Sequence, residues 1–133
     1  MNATVRTMDE RPIARFTAAG RVAIGVGFVA HPALAIRPWL GADARRPAVR
    51  LLSRALGARD LVLGIGTLAT LEDRAALQRW LRAALVADAT DFLVTLAERD
   101  ALPRSGRALV LAVAGGAVAM GAAAVAAGSA APR

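Results

Sequence analysis

Residues 54–66 read "RALGARDLVLGIG". The run is apolar, spotted with glycine and free of proline, which predicts a helix. Near its middle stand Arg59 and Asp60, side by side. Two opposite full charges inside an apolar helix are costly unless each finds a partner or water. The reading of this stretch decides the fold: either it is one face of a soluble helix, or it crosses a bilayer and its charges are paired inside.

The flanking sequence favours the second reading. A hydrocarbon core of about 30 Å takes roughly 20 helical residues, and four segments fit. They cover about 16–36, 49–71, 77–97 and 107–128. Between them lie "RPWLGADARRP" (37–47), "LEDR" (71–74) and "ERDALPRSGR" (98–107), which carry Pro, Gly and charge and predict loops. A soluble four-helix bundle would need a polar stripe on each helix, and Ala108 to Gly128 has none. "VAIGVGFVA" after Arg21, with "ALA" at 33–35, resembles a secretory signal. The three further apolar segments make a first transmembrane helix the preferred reading. The expected fold class is therefore all-α, a four-helix integral membrane bundle in one domain, multi-pass in the cell membrane.

Composition agrees. The chain has 133 residues, of which 56% are hydrophobic and 20% charged, a more apolar and less charged balance than that of ordinary soluble domains. All 17 cationic side chains are Arg. Beside so much Ala, this is the pattern of a GC-rich genome. The net charge of +7 comes from scattered Arg with few aromatics and no recognition motif, so no nucleic-acid partner is expected. The arginines of the two loop sides nearly balance, and the positive-inside rule favours both termini outside by a small margin. Cys is absent and His31 stands alone beside Pro32, which argues against a transition-metal site. "DATD" (88–91) lacks the third carboxylate of a diphosphate-binding cluster. No metal and no cofactor are expected.

Small residues recur at helix spacing: Gly20 and Gly27, Gly57 and Gly64, Gly121 and Gly128, Ala112 and Gly116. In lipid, such positions let helix backbones approach closely. "GVG" (25–27) and "GIG" (64–66) lack a phosphate-loop context and read as helix contacts.

The intramembrane charges fall into one expected cluster. Arg59 and Asp60 sit mid-span on the second helix and Asp88 mid-span on the third. Arg54 and Asp91 should share a depth and pair, and Arg21 lies on the first helix. Three Arg and three Asp would make a neutral set. Ala84, Asp88, Asp91 and Thr95 follow i, i+4, i+7, i+11 spacing and share a helix face, with Trp80 close to that face. Two readings stay open. The charges lock helices together, or they line a polar pocket with a carboxylic acid inside. In the pocket reading, Asp88 and Asp91 resist double ionisation and one holds a proton. That gives a general acid in apolar surroundings, suited to an alkene or epoxide on a lipid-like substrate. Asp88, Asp91 and Asp60 are the catalytic candidates. Arg21, Arg54, Arg59, Trp80 and Phe92 are the positioning candidates.

The core Arg54 to Gly64, with a downstream membrane Asp in a short four-span chain, resembles a group of small bacterial integral membrane proteins of unknown function. It also looks like the small membrane-bound terpene cyclases of bacterial indole-sesquiterpenoid pathways, by size, topology and intramembrane acids. That resemblance implies metal-independent, acid-initiated cyclisation of a prenylated small molecule such as a farnesylated indole. The DxDD motif of large soluble cyclases is absent, and the aromatic residues available to a carbocation are Phe16, Phe28, Trp39, Trp80 and Phe92. The rival readings are a non-enzymatic membrane protein, such as a small accessory subunit or assembly factor, in contact with membrane lipid and with the charges as helix glue, and a small transporter, which would need a homo-oligomer to form a path.

Overall fold

The structure is a computed structural model and describes residues 10–130. It is all-helical: α1 (Arg11–Ala30), α2 (Pro32–Leu40), α3 (Pro47–Ala69), α4 (Arg74–Ala97) and α5 (Arg104–Ala130). Short 3₁₀ turns at Gly41–Arg45 and Arg99–Ala101 fill two of the connections.

Proline sets several boundaries. Pro12, Pro32 and Pro47 stand in the first turns of α1, α2 and α3, where a missing N–H costs nothing and the fixed φ suits a helix. The residue before proline is pushed off the helical region. His31 accordingly lies at φ −129°, ψ 61°, and Arg46 at φ −63°, ψ 136°. This corrects the expected first span. Residues 16–36 are not one helix, because the chain breaks at His31 and restarts as α2. Most of the expected loop 37–47 is helical too, with Pro38 inside α2, and Gly41 closes that helix at φ +57°. The "LEDR" turn forms as expected. Asp73 caps α4 by accepting a hydrogen bond from the Ala76 N–H at 3.0 Å.

The long helices pack as two antiparallel pairs, α1 with α3 and α4 with α5. Glycine brings α1 and α3 together. A Cβ on Gly57 would lie 2.7 Å from Phe28 Cβ, and one on Gly25 would lie 2.8 Å from the Gly57 carbonyl oxygen. Gly64 meets Val22 and Ala18 in the same way. The sequence expectation holds for Gly57 and Gly64 but not for Gly20 and Gly27, which face open space. The α1 contact is Gly25. Gly121 abuts Leu85 and Gly128 abuts Gln78, while Gly116 faces open space.

Between the pairs, contact is limited to short stretches. At one end Ala14, Leu77, Leu81 and Ala124 form a buried cluster joining α1, α4 and α5. Arg74 secures that end, donating to the Gly128 carbonyl at 2.6 Å and lying 3.5 Å from Glu10. At the other end Trp39 of α2 packs on Phe28, with ring centroids 5.3 Å apart, and its backbone meets Gly106 of α5. The middle stays open.

Large apolar side chains are exposed outside the cavity on every long helix, among them Val26, Leu51, Val62, Val86 and Leu109. Among the described residues two helical segments are long and apolar enough to cross a membrane, Arg11–Ala30 and Gly106–Ser129, and only 6% of the most apolar part of the latter is buried. The expectation was four. α3 and α4 fall short because each carries more charge, including Arg54, Arg59 and Asp60 on α3 and Arg79, Arg82, Asp88 and Asp91 on α4. The apolar surface and these two helices support membrane association.

Two tests follow from this packing. Gly57→Ala forces a methyl group against Phe28 and the Gly25 backbone and is expected to cost about 1–3 kcal/mol. Gly20→Ala enters open space and should be neutral or gain up to about 1 kcal/mol of helix propensity. Unfolding midpoints of the purified variants check the contrast. For α5, Ala119→Cys on the exposed face should resist membrane-impermeant thiol reagents from both sides of reconstituted vesicles.

Candidate functional site

Five charged side chains cross the open middle as an alternating chain. Arg21 of α1 donates to Asp88 of α4 at 2.6 Å and to Asp60 of α3 at 3.0 Å. Arg59 donates to that same oxygen of Asp60 at 3.0 Å. Arg59 also grips both oxygens of Asp91, at 2.8 and 2.7 Å. The order is Asp88–Arg21–Asp60–Arg59–Asp91, and it ties the α1–α3 pair to α4 at mid-height.

Helix geometry explains the order. Neighbouring residues on a helix point about 100° apart, so Asp60 turns inward to α1 while Arg59 reaches toward α4. Asp88 and Asp91 are one turn apart and share a face. The two ends of the chain differ in exposure. The side chains of Arg21 and Asp88 are 13% and 9% exposed, against 32% and 40% for Arg59 and Asp91.

Arg54 does not join, which corrects the expected Arg54–Asp91 pair. It is five residues from Arg59 and so about 140° around the helix. Its Nε donates to the Val29 carbonyl at 3.2 Å instead. The cluster is therefore not neutral: two guanidinium groups face three carboxylates. Among the described residues, Asp88 Oδ1 and Asp60 Oδ2 accept no hydrogen bond.

The charge chain forms one wall of a cavity of about 770 Å³ between the helix pairs. Ala84, Asp88, Asp91 and Thr95 all line it, as their spacing implied. Most of the remaining wall is apolar. Two positioning candidates lie elsewhere. Trp80 packs its indole on Gly66 at the α3–α4 contact, and Phe92 sits beside Gly115 at the α4–α5 contact. Phe92 follows Asp91 directly, so it is turned about 100° off the cavity face. The aromatic lining comes instead from Phe16, Phe28 and Trp39. Phe28 was legible from the sequence, since Arg21, Ile24 and Phe28 are spaced i, i+3, i+7. Trp39 stands among the aromatic candidates, but its place in the wall was not legible, because 37–47 reads as a loop. Two donor atoms on wall residues, Trp39 Nε1 and Arg59 Nε, are themselves buried and have no hydrogen-bond partner among the described residues. Among the described residues no three His, Asp or Glu side chains converge as metal ligands. Comparison with protein-family models, with curated proteins and with solved structures gives no match.

A double-mutant cycle tests the pairing. Arg59→Gln with Asp91→Asn should show a coupling of about 1–2 kcal/mol, the range for a charge-assisted hydrogen bond at a partly exposed site. The same cycle with Arg54→Gln should show almost none. Arg21→Met should be the most damaging single change, because it strands the buried Asp88 carboxylate and leaves Asp60 with Arg59 alone.

Proposed function

We propose that the chain is a multi-pass membrane protein in which α1, α3, α4 and α5 cross the bilayer, and that it acts on an isoprenoid-type molecule held in the cavity between the helix pairs. The reaction is acid-initiated cyclisation. One observation carries this reading: Asp88, nearly buried and with one oxygen free of hydrogen bonds, stands in the wall of a largely apolar cavity.

With three carboxylates against two guanidinium groups, the network holds one negative charge too many for an apolar setting, and a proton is the simplest remedy. Asp91 is gripped through both oxygens and Asp60 is shared by both arginines. Asp88 has the single contact and is assigned the proton. Its O–H protonates an alkene or epoxide, forming a new C–H or O–H bond. The resulting cation is attacked by a neighbouring C=C, forming a C–C bond, and a C–H proton returns to the Asp88 carboxylate. Product and substrate have equal mass, and no cofactor is consumed. Arg21 orients Asp88 through Oδ2.

The rival reading is a non-enzymatic membrane protein in which the ions are helix glue. It is favoured by a specific observation: Arg21 and Arg59 join α4 to the α1–α3 pair where apolar packing is sparse.

Incubating membranes that contain the protein with farnesylated indole, followed by mass spectrometry for isomers of unchanged mass, tests the enzyme. Asp88→Asn balances the network at two charges of each sign. It should fold at least as well as the wild type yet lose at least about 10²-fold in turnover. Asp60→Asn removes the negative charge that both arginines share and should mainly lower the melting temperature. If the wild type yields no isomer from any prenylated substrate, the helix-glue reading replaces this one.

A further inference from the structure

The charges lining the cavity are unequal, and the inequality points to a ligand class. Six charged side chains contribute: Arg21 and Arg59 against Asp60, Asp88, Asp91 and Glu98. Glu98 lies exposed at the rim and, among the described residues, has no ion pair. Two carboxylate oxygens inside, Asp88 Oδ1 and Asp60 Oδ2, accept no hydrogen bond among the described residues. The aromatic residues in the wall, Phe16, Phe28 and Trp39, offer π faces that attract cations. An anionic lipid headgroup would meet net repulsion here, and a neutral molecule would leave the excess charge unbalanced.

We infer that the cavity binds a lipophilic cation, an apolar molecule carrying one positive charge. The inference rests on the cavity being a ligand site but not on cyclisation. A bound cation supplies the same missing charge that a proton on Asp88 supplies, so the two alternate. The cavity also has room to spare. Gly116 of α5 and Gly20 of α1 both line it, and a Cβ at either would touch nothing within 4 Å. These glycines are not packing contacts, so a larger side chain there occupies the cavity without disturbing a helix interface.

Two ions of one shape and opposite charge separate size from sign: tetraphenylphosphonium and tetraphenylborate. Their binding to the full chain in dodecyl maltoside micelles is measured by equilibrium dialysis, with uptake by protein-free micelles subtracted. The phosphonium should bind saturably, one per chain, at least about ten-fold more tightly than the borate, as expected for a unit charge beside an uncompensated carboxylate. Gly116→Leu should abolish this binding. Gly20→Leu, from the opposite wall, is the second filling variant should the first fail to fold. Glu98→Gln should weaken phosphonium binding by about two- to three-fold, the scale of an exposed charge. Borate binding as tight as phosphonium binding would overturn the charge assignment while leaving the cavity a ligand site. Saturable binding of neither ion would remove the cavity reading itself. Phosphonium binding unchanged in a folded filling variant would place the ion elsewhere and overturn the inference.

Discussion

The architecture depends on the ionic chain from Asp88 through Arg21, Asp60 and Arg59 to Asp91. Apolar packing holds each helix pair together but does little to join the pairs at mid-height. Arg21 and Arg59 make that junction, each reaching from the α1–α3 pair to α4. Side chains of this length hold helices apart as well as together, so the junction and the cavity have one cause. In an apolar setting such bonds are hard to replace by water, and removing a partner exposes the other to the full desolvation cost.

Glycine serves two opposite ends in this chain. Gly25, Gly57 and Gly64 bring the α1 and α3 backbones so close that a methyl group would collide. Gly20 and Gly116 have no neighbour within reach of a Cβ and enlarge the space between the pairs. Close approach on one side of α1 and an open wall on the other turn a plain bundle into one with an interior. The α1–α3 contact relies on small residues and van der Waals fit.

Charge also divides the helices by composition. α1 and α5 are apolar enough to cross by themselves. α3 and α4 carry the charges and need the network before an apolar environment can accept them. Their outward faces still present Leu51, Val62, Val86 and Leu93. Both helices bury some apolar side chains, Leu63 on α3 and Leu77 and Leu81 on α4, yet they also bury Asp60 and Asp88 while other large apolar residues stay exposed. The unequal count of carboxylates and guanidinium groups gives the interior a sign, and that sign links the proposed acid chemistry to the proposed ligand class.

The sequence by itself determined the all-helical class, the three later long helices and the residues that bring charge between them. These are local properties: proline and turn residues end helices, and counting along a helix gives depth. It also determined that Ala84, Asp88, Asp91 and Thr95 share a face, since periodicity alone sets that. Only the tertiary structure decided which Arg meets which Asp. Depth placed Arg54 level with Asp91, but the pairing depends on the direction around the helix axis and on the distance between axes, which packing fixes. The same reason moved the α1 contact from Gly20 and Gly27 to Gly25, and took Trp80 and Phe92 out of the cavity wall. Trp39 entered that wall because His31, before Pro32, breaks the first apolar segment and folds α2 across the end of the bundle. A window of hydropathy cannot register that turn, because the residues on both sides of it are equally apolar.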